Sequence, residues 1–379
     1  MATIKKFLKI NGNKTISELP FCETDILILT CISYCAFINS PKYDEKMKDK
    51  FFNFSVFDDK NDYQILRKPF LTPGNSYNLF IENFFKCKRY KELKFGHVMN
   101  YFSKEKNAQF FATTYRLGNT TLIDFRGTDN SITGWKEDFN MALYDTVPAQ
   151  KYAKEYVEKI AKKLKGNFII AGHSKGGNLA YYSYFNLDDE TRKRIIKVYN
   201  LDGPGFKNDN YDYNKFNNKI IKIVPTEDIV GVLFDNSNNY KICYTSKLSV
   251  FAHDLLTWKL DKKQNYTKVL VANNLTPYSL AFKNSINSWF YNYDSNYINE
   301  MTDFIFTFLE LSNYNTLGDI TKDFFLHGYI FSSKLSSMEP QKKTIVYKMS
   351  KEFIKLYVKN LFSNDEQKIS KFKCLKRGN

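Results

Sequence analysis

The chain has 379 residues, 43% hydrophobic and 25% charged, a balance that fits a soluble globular protein and excludes a disordered or fibrous one. Its net charge of +16 attracts polyanions, but the lysines are scattered and no arginine-rich block or nucleic-acid motif occurs, so no nucleic acid is expected as a partner. The charge reads first as a solvated surface and second as a preference for an anionic membrane surface.

"MATIKKFLKINGNK" lacks the apolar stretch of a secretory signal. The longest apolar run, "ILILTCISYCAFI" from Ile26 to Ile38, is too short to span a bilayer and reads as a buried helix, with Ser17, Glu18 and Pro20 suited to its start. Residues 40–105 mix aromatic and charged residues with few clean periods, and "LTPGNSYN" marks a turn. Residues 1–105 are therefore expected to form a helical or irregular segment packed on a core spanning 106–300. Cys22, Cys31, Cys35, Cys87, Cys243 and Cys374 show no C-x-x-C spacing. They read as free thiols in a reducing, cytoplasmic setting, peripheral at the membrane if the basic surface binds one.

From Gln109, "QFFATTYRL" and "TTLIDF" flank Gly118-Asn119, a hairpin pattern. In "AQKYAKEYVEKIAKKLKG", Tyr152, Tyr156, Ile160 and Leu164 recur every four residues beside Ala153 and Val157, giving an amphipathic helix ended by Gly166. "NFIIAG" reads as a buried strand and "GGNLAYYSYFNL" as a helix. "RIIKVYNL", "NKIIKIVP" and "YKICYTS" read as further strands. Apolar strands alternating with helices predict a mostly parallel central sheet with helices on both faces. Residues 301–379 are expected to be C-terminal helices, with "YINEMTDFIFTFLEL" and "TIVYKMSKEFIKLYVKNLF" carrying apolar faces and a basic tail that frays.

Gly172, Ser174 and Gly176 form G-x-S-x-G between a strand and a helix, where a nucleophile elbow belongs. The residues two before and two after the serine must be tiny for so sharp a turn. The helix start then favours negative charge developing at the serine. A serine nucleophile needs an oriented base. Of four histidines, His173 lies inside the elbow and His97 precedes the core. In this arrangement the order is serine, acid, histidine, which leaves His253 and His327, and His253 follows the last core strand. The acid should follow a strand between Ser174 and His253. Asp228 in "IVPTEDIVG" is preferred because it lies one strand nearer the histidine-bearing loop. Asp202 in "YNLDGPGF" is the alternative and Glu227 the third choice. Oxyanion donors are expected from the backbone N–H of Lys175 and from the loop "DFRGTD". There Gly127 allows close approach, Thr128 offers its N–H and hydroxyl, and Arg126 reads as an ion-pair partner.

"DFRGTDNSITGWKEDFN", "AGHSKGGNLA", "NLDGPGF", "TEDIVG" and "HDLLTW" resemble an uncharacterised bacterial family, a domain of unknown function related to class 3 lipases. The resemblance covers roughly residues 15–330 and is densest over 110–260. It implies an α/β-hydrolase fold with N-terminal and C-terminal helical additions. It also implies Ser174 as nucleophile, Asp228 as acid, His253 as base, and Thr128 with Lys175 as oxyanion donors. The short interval from Asp228 to His253 argues against transferring the lid or substrate preference of secreted fungal lipases. The resulting expectation is a serine hydrolase cleaving an acyl ester or lipid, with no cofactor and no metal. A thioesterase or peptidase would use the same residues, and a non-catalytic basic membrane-associating protein is the reading from another class.

Overall fold

A nine-stranded sheet runs in strict sequence order, β1 (Phe51–Asn53), β2 (Lys94–Ser103), β3 (Ala108–Leu117), β4 (Thr120–Phe125), β5 (Phe168–His173), β6 (Ile195–Leu201), β7 (Ile220–Pro225), β8 (Lys241–Cys243) and β9 (Val271–Ala272). The coordinates are a computed structural model describing residues 2–375, apart from 67–75, 130, 208–209, 236, 238, 294–296, 299 and 301–335. Pairings from β4 to β8 are all parallel. Those from β1 to β4 and between β8 and β9 are antiparallel. The sheet is thus mixed, with a parallel centre and antiparallel margins, rather than mostly parallel throughout.

The helices among the described residues are α1 (Ile4–Asn11), α2 (Glu23–Ser33), α3 (Lys60–Leu66), α4 (Ser76–Lys86), α5 (Ile132–Leu143), α6 (Pro148–Lys163), α7 (Lys175–Phe185), α8 (Asp189–Lys193), α9 (Tyr213–Phe216), α10 (Pro277–Tyr291) and α11 (Pro340–Leu375). Alternation along the central strands divides their side chains between two cores. Phe110, Ala112, Ile123, Phe125 and Ile170 face α6 and α7, meeting Ala153, Tyr156, Val157, Ile160, Leu179 and Ala180. The buried face of α6 follows the predicted four-residue spacing, and Pro148 sits at its first turn, where a missing N–H does no harm.

Phe111, Leu122, Ile169, Ala171 and Leu201 point to the opposite face, which the N-terminal segment covers. All eleven residues of α2 are buried, because it lies against β3, β4 and β5 on one side and under α1 on the other. A helix hydrophobic all round requires such a setting. It starts at Glu23, later than Ser17 and Glu18 suggest, with Asp25 Oδ2 accepting from the Cys22 N–H at 2.9 Å. It stops at Ser33, short of the predicted Ile38. The buried Arg89 guanidinium grips Asp25, with Nε at 2.7 Å from Oδ1, and Tyr90 Oη donates to the same carboxylate at 2.6 Å.

The segment 1–105 contributes β1 and β2 to the sheet, strands the sequence did not announce. A bulge between Gly96 and Met99 breaks the two-residue period in β2, and His97 within it has φ 52°. Of the C-terminal helices, the one expected from Tyr297 lies almost wholly outside the described residues. The tail expected to fray continues α11 to Leu375. Trp289 of α10 packs with Met349, Phe353 and Leu356 of α11 in a small third core. Cys22, Cys31, Cys35, Cys87 and Cys243 are free thiols, all buried except the half-buried Cys22. No described helix is long and apolar enough to cross a membrane.

Candidate active site

Ser174 links the end of β5 to the start of α7 with φ 59° and ψ −132°, backbone angles that L-residues rarely adopt. The flanking glycines are sterically required. A Cβ on Gly172 would sit 2.1 Å from the Gly176 carbonyl oxygen, and one on Gly176 would sit 2.0 Å from that of Phe125. Ser174 N–H donates to Leu201 O at 2.9 Å, tying the turn to the end of β6.

The loop after β4 lies directly against this turn, since a Cβ on Gly127 would come within 2.9 Å of Ser174 Cβ. The backbone N–H groups of Thr128 and Lys175 make no hydrogen bond among the described residues, leaving two donors beside the serine. The Thr128 hydroxyl is engaged elsewhere, donating to Asp138 Oδ2. Arg126 lies with its guanidinium 4.4 Å from the Phe111 ring and 3.8 Å from Asp129 Oδ2, so it braces the loop. The Lys175 side chain turns inward. Its ammonium donates to Gln109 O and Oε1, both at 2.9 Å, and meets Glu137 Oε2 of α5 at 3.1 Å.

His253 Nδ1 lies 2.6 Å from Asp202 Oδ2, so the imidazole is paired with Asp202 and not with Asp228. The reason is local. Asp202 follows β6 directly with φ 54°, a left-handed conformation that aspartate tolerates and that turns its side chain out of the strand path. Asp228, at the end of β7, uses Oδ1 to accept from Val230 N–H at 2.7 Å and Gly231 N–H at 2.9 Å, closing its own turn. Asp228 still lies in the same corner, in side-chain contact with Asp202. Glu227 is turned away toward Thr276 at the start of α10, 3.2 Å distant.

Asp202 and Asp228 are each 1% exposed. Burial pushes the Asp202 carboxyl up to about 7. Burial, followed by the neighbouring Asp202, pushes Asp228 well above the carboxylate range. Burial also holds His253 down to about 4, against the pull of nearby carboxylates. His253 therefore stands as a neutral imidazole whose Nδ1–H points at Asp202, leaving Nε2 as the basic nitrogen. No hydrogen bond joins Nε2 to Ser174 Oγ among the described residues.

His173 is not a base candidate, for both its nitrogens are occupied. Its Nε2 lies 2.8 Å from the His253 carbonyl oxygen, which can only accept, so Nε2 carries the proton. Nδ1 is then the acceptor for Tyr34 Oη at 2.8 Å, and Tyr34 Oη accepts from Gly127 N–H at 3.1 Å. This chain links the loop after β4, the elbow and the His253 segment through one phenol. The sequence did not single out Tyr34. Its only signal was a tyrosine next to the end of an apolar helix. His97 sits in the β2 bulge against Phe51, and His327 lies outside the described residues. No cluster of three His, Cys, Asp or Glu suited to a metal ion occurs among the described residues.

No curated protein matches the chain. Residues 84–307, more than half of its length and the span holding the elbow, both aspartates and His253, match the family described as Mbeg1-like, and the chain belongs to that family.

Proposed function

We propose that the chain is a serine hydrolase with an α/β-hydrolase core, acting on an acyl ester or lipid. One observation carries this reading. Ser174 stands at a strained strand-to-helix turn beside two N–H groups that no described residue engages, with Asp202 following the neighbouring strand β6 and paired to His253 from the segment after β8. Membership of a lipase class 3-like family and the class 3 resemblance of the elbow and "DFRGTD" motifs support the same chemistry.

In this mechanism the hydrogen bond between His253 Nε2 and Ser174 Oγ closes as substrate enters. Such hydrogen bonds are often long before the substrate is bound. Ser174 Oγ attacks the carbonyl carbon while its proton passes to His253 Nε2. The oxyanion forms against the N–H groups of Lys175 and Thr128, at the positive end of α7. Asp202 fixes the imidazole tautomer and stabilises the imidazolium. The tetrahedral adduct collapses, His253 Nε2 gives its proton to the leaving alcohol, and the acyl group stays on Ser174. Water then attacks the acyl-enzyme with His253 again as base, releasing the acid and restoring the serine.

A panel of p-nitrophenyl esters of rising chain length tests the reading. Turnover by the wild type and its loss in Ser174→Ala, with an unchanged unfolding temperature, is the expected result. Equal turnover by both proteins would refute it.

A further inference from the structure

Asp228 Oδ2 is buried and receives no hydrogen bond from any described residue, although Oδ1 of the same carboxyl accepts two. A buried carboxylate oxygen without a donor is costly. The group beside it is another carboxyl, Asp202, and both accept from the same donor, Gly231 N–H, at 2.9 Å and 3.2 Å. Two ionised carboxylates cannot hydrogen-bond to each other, because each only accepts.

The Lys222 charge pulls both carboxyls down, but burial outweighs it. Lys222 of β7 donates its ammonium to Gly231 O at 2.6 Å and to Asp235. Lys283 of α10 donates to Tyr240 Oη at 3.1 Å. Cys243 on β8 lies within electrostatic reach of both carboxyls as a buried thiol, and His253 Nδ1–H donates to Asp202 Oδ2.

We infer that Asp228 is a carboxylic acid in the folded protein, that its proton is donated to Asp202, and that it thereby acts as a positioning residue for the carboxylate on His253. One proton satisfies the orphaned oxygen and leaves a single negative charge on the pair. That charge sits on Asp202, where it faces the imidazole. The direction of the Asp228 shift agrees with this arrangement. During acylation no proton leaves Asp228. It holds Asp202 in place while the serine proton travels to His253. The inference rests on the serine hydrolase reading for its catalytic meaning, but not for its protonation chemistry.

Three variants and one spectrum test it. Asp228→Asn keeps a donor, its amide N–H, aimed at Asp202, so its kcat should stay close to that of the wild type. Asp228→Leu removes the donor, and kcat should fall about ten- to a hundredfold with KM unchanged, the loss of one hydrogen bond to a charged group. Asp202→Asn serves as the reference for loss of the imidazole's partner, a fall of about ten-thousandfold. If Asp228→Asn falls as far as Asp202→Asn, Asp228 works as an ionised carboxylate and the inference is overturned. If Asp228→Leu, folded by its melting curve, turns over like the wild type, the donor does nothing and the positioning role is overturned. The infrared difference between wild type and Asp228→Asn at slightly alkaline pH should contain the carbonyl stretch of a protonated carboxyl. An ionised carboxylate pattern instead overturns the protonation. This spectrum needs no turnover, so it separates failure of this inference from failure of the hydrolase reading.

Discussion

Ser174 and Asp202 follow adjacent parallel strands, β5 and β6, and both carry positive φ, 59° and 54°. They are held there by different physics. At Ser174 the conformation is forced by exclusion, since the chain on either side approaches so closely that Gly172 and Gly176 cannot carry a Cβ. At Asp202 the backbone is crowded as well, since a Cβ on Gly203 would lie 2.5 Å from Ser174 O, but what places the carboxylate is its hydrogen bonds with His253 Nδ1 and Gly231 N–H. A steric device should fail by unfolding or misfolding. A hydrogen-bonded device should fail by losing function while the fold survives.

The contrast is broken most severely at Gly176. Gly176→Val drives a side chain into the Phe125 carbonyl and should cost more than about 4 kcal/mol, enough to lose the soluble protein or most of its melting temperature. A normal melt would show that the elbow is not sterically fixed. Lys175→Met strands Glu137 as a buried charge and should cost about 3 to 5 kcal/mol in chemical unfolding. The backbone N–H of residue 175 persists in that variant, so its esterase turnover per folded molecule should change little. A large loss of turnover at unchanged stability would assign the ammonium a role in chemistry.

Tyr34→Phe tests the bond between the two devices. It leaves Gly127 N–H without its acceptor and His173 Nδ1 without its donor, and should cost about 1 to 3 kcal/mol. Turnover should fall as well, because the loop after β4 and the His253 segment lose their shared anchor. Unchanged turnover would confine Tyr34 to stability.

The smallest effect concerns pH. Burial and the nearby Lys163 hold His97 down to about 4, against an ordinary value of 6.5. A depressed histidine contributes stability that is fully present above 6.5 and is lost as pH falls toward about 4, because the unfolded chain takes up the proton first. Asp124, buried and pushed up to about 7, works in the opposite direction. The test is therefore the difference between proteins: melting temperature should fall less steeply between those two pH values in His97→Gln than in the wild type. Parallel slopes would mean that His97 ionises freely in the fold.

What the sequence disclosed follows the same division. The elbow was legible because steric exclusion acts on neighbours along the chain, writing Gly172, Ser174 and Gly176 into five consecutive residues. The amphipathic face of α6 and the β3–β4 hairpin were legible because their signals, apolar spacing and a turn between β-prone runs, also lie among near neighbours along the chain. The partner of His253 was not. Asp202 and Asp228 both follow strands, and only the left-handed backbone at Asp202 and the closed turn at Asp228 decide between them. β2 escaped notice because a bulge interrupts its period, and β1 because it is only three residues long. Tyr34 escaped because its partners are 93 and 139 residues away.

The most direct measurement is labelling of the folded protein with a fluorophosphonate probe, followed by mass mapping of the modified peptide. The account predicts a single adduct on Ser174, absent from Ser174→Ala. An adduct on another residue, or labelling that persists in that variant, would contradict it.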